Sequence, residues 1–249
     1  MQTVPLLTVI CALMLYAGAA VFLLGLGHKI VWYARTPAPL KIPTMPAPTN
    51  GIGVALRMAR EAALFESLFK SNKWAWLFSA LFHLGLLLEV LRHLRYFVQP
   101  LWGWVVLIQP AGLYGGFAMV VGLLGLLARR LLVARVYYVT QPSDYLMILL
   151  LLGIAASGLS VTYLDHADIV SFKEFILGVL YFDWQPLPAN PLLVIHLVLA
   201  SVLMAVFPFS KLLHAPAVFF SPTRNQVDNA RERRHLAPWA ARLEAGLNK

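Results

Sequence analysis

Four histidines stand inside runs that are otherwise oily enough to cross a bilayer. His83 and His93 lie in LFHLGLLLEVLRHLRYF (residues 81–97), ten residues apart. His196 and His214 lie in IHLVLASVLMAVFPFSKLLH (residues 195–214), eighteen apart. An ionisable side chain inside a membrane span is costly and marks a functional site by default. A single such histidine is as readily a core residue bonded to a backbone carbonyl, but two pairs on two segments fit that reading poorly. His28, His166 and His235 sit at span ends or in loops, where solvation accounts for them.

The spacing says what the four can do. On an α-helix ten residues rise about 15 Å and turn about 80° short of whole turns, so His83 and His93 both point broadly into a bundle. Eighteen residues make five whole turns, which puts His196 and His214 on one face about 27 Å apart. Pro208 between them should bend the helix and change that reach. If the two segments run in opposite directions, His83 meets His214 at one depth and His93 meets His196 at the other. Two facing pairs at two depths suit two stacked haems, each held by one imidazole from each helix. Such a haem has no open position, so it carries electrons and does not bind oxygen. A zinc centre would want three or four ligands in one cluster instead.

The elements that must position these residues follow from composition. The chain is 60% hydrophobic and 12% charged, with mean hydropathy +0.73, more apolar surface than a water-soluble fold of 249 residues needs. Apolar runs near residues 6–30, 74–97, 113–132, 145–164 and 192–213 read as five transmembrane helices. The expected class is an all-α membrane protein, a five-helix bundle over residues 1–215 with a basic tail at 216–249. The first run is longer than a signal-peptide core and no basic stretch precedes it, so it reads as a retained span. Cys11 lies inside it and has no partner cysteine.

Seventeen of the twenty Lys and Arg residues fall on one side of the alternating loops and three on the other. The positive-inside rule then places the N-terminus outside and the C-terminus in the cytoplasm. The net charge of +9 fits anionic headgroups and a cytoplasmic partner without nucleic acid. On the cytoplasmic side a proline-rich connector (residues 36–50) leads to an amphipathic insert, GVALRMAREAALFESLFK (residues 53–70), which either lies on headgroups or docks a partner. The outer loop, residues 165–190, is mildly acidic, and FKEFILGVLYFDW (residues 172–184) reads as a short interfacial helix with aromatic anchors.

The two histidine segments together resemble the gamma subunit of respiratory nitrate reductase, a family of five-helix dihaem b-type cytochromes. Both histidine spacings match, as does the FPFSKLLH run. The resemblance implies haem ligation by His83 and His214 near the cytoplasm and by His93 and His196 near the outer face. Three other stretches are closer to the DsrM family, the cytochrome b subunits of the sulfite-reduction-associated Dsr membrane complexes. These are the long first loop with KIPTMPAP, the RHLRYF around His93, and the tail FFSPTRNQVDNARERRHLAPW. That likeness implies a cell inner-membrane subunit working in dissimilatory sulfur metabolism. It would pass electrons between menaquinone, or another quinone, and a cytoplasmic iron–sulfur subunit resembling the catalytic subunit of heterodisulfide reductase. A periplasmic cytochrome c, a periplasmic iron–sulfur protein and a second membrane subunit would complete the complex.

The nitrate-reductase branch carries a quinol-binding lysine near the outer haem, whereas residues 97–128 here contain no Lys or Arg. Gln109 falls near the expected place, and Arg92 adjoins His93, so these two are the quinone-site candidates. Arg129, Arg130 and Arg135 either pair with haem propionates or only anchor topology. Glu89 either pairs with Arg92 at i,i+3 or accepts a proton at the quinone pocket. Two alternative functions stand beside this one. One is the gamma subunit of a nitrate-reductase-type quinol oxidase; the other is a transporter subunit with proton-relay histidines, for which no internal repeat speaks. The charge asymmetry also yields a topological expectation. A reporter fused after Lys249 should be active only in the cytoplasm, and cleavage of the tail by protease added outside intact cells would invert the assignment.

Overall fold

The computed structural model describes residues 5–38, 42–43, 45–232 and 235–247. Met1 and Lys249, assigned above to opposite sides, and Arg233 and Arg234 of the basic tail lie outside the described residues. Among the described residues every regular element is helical. In chain order the α-helices are α1 (Leu6–Arg35), α2 (Gly51–Leu64), α3 (Glu66–Ser71), α4 (Lys73–His93), α5 (Gly103–Leu132) and α6 (Ala134–Val139). They continue as α7 (Pro142–Tyr163), α8 (Ile169–Tyr181), α9 (Pro191–Val206), α10 (His214–Ala217), α11 (Pro222–Asn225) and α12 (Pro238–Leu247). Five are long and apolar enough to cross a membrane: α1, α4, α5, α7 and α9, with 3-10 turns extending α4 to Tyr96 and α9 to Phe209. Helices are the economical way to satisfy backbone groups in lipid, because every bond closes within the segment.

Two spans depart from the expected bounds. The third starts at Gly103, ten residues before the expected 113, and carries Pro110 inside it. A proline is tolerated in a span when neighbouring groups re-satisfy the freed backbone. The last span ends earlier than the expected 213. Pro208 lies in the Phe207–Phe209 3-10 turn, and Ser210 is extended at φ −112°, ψ 172°. His196 and His214 are therefore not on one continuous helix, and the five-turn spacing between them does not apply. The insert likewise is not one helix, because Phe65 takes a left-handed conformation at φ 50° between α2 and α3.

The described residues up to Gly27 and Ser67–Leu212 form one compact unit; those of His28–Glu66 and from Leu213 onward form another. In the second unit the insert is tied to the tail. Arg57 donates to the Thr223 carbonyl at 2.6 Å, Arg224 pairs with Glu61 at 3.0 Å, and the Asp228 N–H reaches the Pro48 carbonyl at 3.0 Å. The basic tail is thus packed on the insert.

In the first unit α4 and α5 form a close hairpin on small residues. A Cβ on Gly85 would stand 2.5 Å from the Gly115 carbonyl oxygen, and one on Gly122 would stand 2.5 Å from the Phe82 nitrogen. Such contacts let backbones approach where lipid offers no hydrophobic drive between helices. Phe82, Met119, Leu123, Leu151 and Ala155 bring α7 onto this hairpin as one buried cluster. A second cluster holds Cys11 and Ala12 of α1, Leu193 and Leu197 of α9, and Phe172, Phe175, Ile176 and Val179 of α8. The outer-loop helix α8 is therefore more than an interfacial anchor. Phe175 is fully buried, the Tyr16 hydroxyl donates to the Val179 carbonyl at 2.5 Å, and the Trp184 indole N–H donates to Tyr16 at 3.0 Å. Asp168 caps α8, accepting from the Ser171 hydroxyl and from the Val170 and Ser171 N–H groups. These donors, the Ser171 hydroxyl first, hold its carboxyl below the usual range.

The close approach of α4 to α5 is directly testable. Gly122→Val should lower stability by about 1–3 kcal/mol or more, because the added atoms meet backbone rather than a movable side chain. Gly27→Ala is the control, since nothing lies within 4 Å of a Cβ there. An unfolding midpoint for Gly122→Val equal to that of the control would contradict the packing described.

Candidate functional site

His93 ends α4 and His196 lies in α9. Their rings face each other across the first unit, 6.1 Å between centroids and 19° from parallel. Each ring is held by its Nδ1. His93 Nδ1 lies 2.6 Å from the Glu89 carbonyl of its own helix. His196 Nδ1 lies 3.1 Å from the Ile154 carbonyl and 3.0 Å from the Ser157 hydroxyl, both on α7. A carbonyl can only accept, so Nδ1 carries the proton and Nε2 keeps its lone pair. This is the outer-shell arrangement of metal-binding imidazoles. Gly158 makes room for the ring: a Cβ there would stand 3.1 Å from His196 Cε1.

The donor set fits a haem iron. His93 and His196, each with its Nδ1 hydrogen engaged by a protein acceptor, would be the residues that hold it. Among the described residues no group of three or more His, Cys, Asp or Glu side chains could hold a metal ion.

A polar cluster borders His93. Arg92 is buried and lies against Gly112, where a Cβ would meet its Cδ at 2.7 Å. Glu89 Oε2 is 3.9 Å from Arg92 and 3.9 Å from His93 Nδ1, so the expected i,i+3 ion pair is present at long range. Gln109 donates to the Arg92 carbonyl at 3.3 Å and accepts from Arg95 at 3.3 Å. Arg95 also donates to the Tyr96 hydroxyl at 2.7 Å, and among the described residues its buried Nε has no hydrogen-bond partner. The structure thus brings both quinone candidates, Arg92 and Gln109, beside His93. It adds Arg95 to them. Phe172 of α8 covers Tyr96 edge-on at 4.8 Å, and Tyr96 in turn packs on His93 at 5.9 Å.

On the other side His83 Nδ1 lies 2.7 Å from the Ser79 carbonyl, the same self-bond that holds His93. His83 belongs to the first unit, and His214, the exposed first residue of α10, to the second. The three candidate arginines differ in setting. Arg129 and Arg130 are in the last turn of α5 and Arg135 is exposed in α6. Arg130 is engaged by protein groups, 3.3 Å from Thr140 Oγ1 and 3.6 Å from Asp144 Oδ2. Buried Asp144 also accepts from Lys211 at 2.8 Å. It caps α7 as well, accepting from the Gln141 N–H at 3.1 Å.

Residues 52–231 match the profile of the family described as nitrate reductase gamma subunit. The chain belongs to that family. It is 34% identical over 269 positions to the Hdr-like menaquinol oxidoreductase cytochrome b-like subunit of Archaeoglobus fulgidus, covering 90% of this chain and 81% of that protein. The protein of the same name from Archaeoglobus profundus is 32% identical over 274 positions, covering 90% and 80%. The nitrate reductase gamma chain of Bacillus subtilis is 32% identical over 156 positions, covering 55% and 69%. The family resemblance read from the histidine spacings is therefore correct, and the long-range similarity runs to the Hdr-like branch.

Three contributions to the first unit were not visible in the sequence. Ser157, Gly158 and Asp144 each act on a residue distant in the chain, and none belongs to a motif. Asp144 gives a measurable consequence. Asp144→Ala leaves Lys211 and Arg130 without their shared carboxylate, and should cost about 1.5–3 kcal/mol. Lys211→Met should cost less than about 1 kcal/mol, because the Lys211 side chain is 65% exposed. Unfolding midpoints in detergent compare the two, and a larger loss for Lys211→Met would show that the cluster is not centred on Asp144.

Proposed function

We propose that this chain is a quinol-linked electron-transfer subunit of a membrane complex, holding two b-type haems in a five-helix bundle. The observation that carries the reading is the facing pair His93 and His196, with both Nδ1 atoms bound to protein acceptors and both Nε2 atoms left for a metal. His93 and His196 would hold the haem toward the outer face, and His83 and His214 the haem toward the cytoplasm. When bound, such haems supply one-electron carriage at six-coordinate iron, without oxygen chemistry. The Ser79 carbonyl prepares His83 by the same Nδ1 bond. Lys211, three residues before His214 in the chain, is tethered to Asp144 at 2.8 Å.

The chain's own residues suggest how a quinol is received. Arg92, Gln109 and Arg95 form a linked set of donors beside His93, and Arg95 Nε is a buried donor without an acceptor among the described residues. A quinol oxygen is a suitable acceptor, and Glu89, 3.9 Å from Arg92, places an anion at the same spot. The names of the Archaeoglobus relatives, menaquinol oxidoreductase subunits, support menaquinol as the quinone. The same names favour a complex with further subunits. The resemblance of the first loop, the RHLRYF run and the tail to the DsrM family is what suggests a cytoplasmic iron–sulfur partner of the heterodisulfide-reductase type, further subunits as in Dsr complexes and a role in dissimilatory sulfur metabolism. The Lys and Arg asymmetry supports a periplasmic N-terminus and a cytoplasmic C-terminus in the cell inner membrane. The insert and tail, packed on each other and rich in arginine, would then present a basic face to that partner.

The purified protein should contain two b-type haems per chain with low-spin, bis-imidazole spectra. His93→Ala should remove mainly one haem and His83→Ala mainly the other, read by pyridine haemochrome stoichiometry and by electron paramagnetic resonance. A folded but colourless preparation sinks this reading.

A further inference from the structure

His196 is oriented differently from the other described span histidines. His83 and His93 each bond a carbonyl one turn back on their own helix, at 2.7 and 2.6 Å. Those bonds exist wherever α4 exists. His196 instead reaches from α9 to α7, so its ring is held only where two helices are docked. The acceptors there are arranged in a set order. The Ser157 hydroxyl is buried and donates its one proton within α7, to the Gly153 carbonyl at 2.7 Å or the Ile154 carbonyl at 3.0 Å. With that proton committed, the Ser157 oxygen can only accept from His196 Nδ1–H, 3.0 Å away. The Nδ1–H is therefore shared between two oxygens on adjacent turns. The next residue, Gly158, bounds the ring on its Cε1 edge, where any Cβ would lie 3.1 Å away.

We propose that Ser157 and Gly158 of α7 are positioning residues that set both the plane and the electron-donating strength of the His196 imidazole. The inference rests on the reading that His93 and His196 hold one haem. An acceptor on Nδ1–H raises the basicity of a metal-bound imidazole and fixes its orientation. Hydrogen bonding in that outer shell is one of the means by which a protein sets haem potential. The two ends of the same haem are thus held unequally. His93 relies on its own helix, while His196 relies on a serine and a glycine from a neighbouring span. The span α7 carries none of the four haem histidines, and on this account it has a part in the redox chemistry as well as in packing.

The test uses the full-length protein in membranes or detergent, with redox titration of both haems, electron paramagnetic resonance of the oxidised state and haem stoichiometry. Ser157→Ala should keep both haems while one is reduced more readily. Its reduced-to-oxidised ratio at fixed poise should rise about threefold, or about 30 mV at 59 mV per decade for one electron. The other haem should be unmoved, and Ser157→Thr should restore the wild-type ratio. Gly158→Ala should shift the resonance signal of the same haem by turning the imidazole. Unchanged potentials and signals in both Ser157→Ala and Gly158→Ala would overturn the proposal and leave Ser157 as an intrahelical bond only. Loss of the haem in Ser157→Ala that Ser157→Thr does not restore would also overturn it, since that marks packing. Failure of the underlying reading looks different: His196→Ala would then retain both haems.

Discussion

In hydrocarbon an imidazole must place its Nδ1 hydrogen on an acceptor supplied by the protein, because no water is there to take it. The structure depends on that requirement being met at His83, His93 and His196. Each has its Nδ1 on a carbonyl. The rest of the first unit can be understood as support for these three bonds. The α4–α5 hairpin is close because its seam is glycine, and α4 then presents His93 at its end next to Arg92, Arg95 and the Gln109 amide. The α7–α9 contact supplies the Ile154 carbonyl and the Ser157 hydroxyl to His196.

The two sides of the bundle are built on different principles. The side that holds His93 is closed by edge-on aromatic contact and a buried amphipathic helix, with Phe172 on Tyr96 and Phe175 wholly buried. The polar groups beside His93 are Glu89, Arg92, Arg95 and Gln109, and among the described residues the buried Arg95 Nε has no hydrogen-bond partner there. The other side is organised by charge. Buried Asp144 gathers Lys211 and Arg130 while capping α7, which secures the chain at the point where the last span loses its helical form. A carboxylate with two cations and a backbone N–H is better satisfied than an isolated buried charge.

The class and the family were legible in the chain itself. Five apolar runs fixed a helical membrane fold, and two histidine spacings of ten and eighteen pointed to paired axial ligands and to the family. These signals are local in sequence, since hydropathy and helical register depend on neighbours within a few turns. Even the i,i+3 pairing of Glu89 with Arg92 came from register alone. Local reasoning failed at the breaks. Phe65 in a left-handed turn and Ser210 in an extended one interrupt segments whose composition looks continuous, and Pro110 interrupts nothing although it looks as if it should.

What only the tertiary structure decided was which groups meet across helices. Nothing in the sequence around Ser157 or Gly158 ties them to His196 some forty residues on, nor Asp144 to Lys211. Nothing marks α8 as a buried roof rather than a surface helix. The reason is physical: a side-chain bond between helices depends on their rotation and depth, which are set by the sum of the packing contacts and by no single motif. The sequence by itself determined that imidazoles would stand in the membrane, at what spacing, and with which family they belong. The fold decided that His93 faces His196 at 6.1 Å, because only the docking of α9 on α7 turns the second ring toward the first.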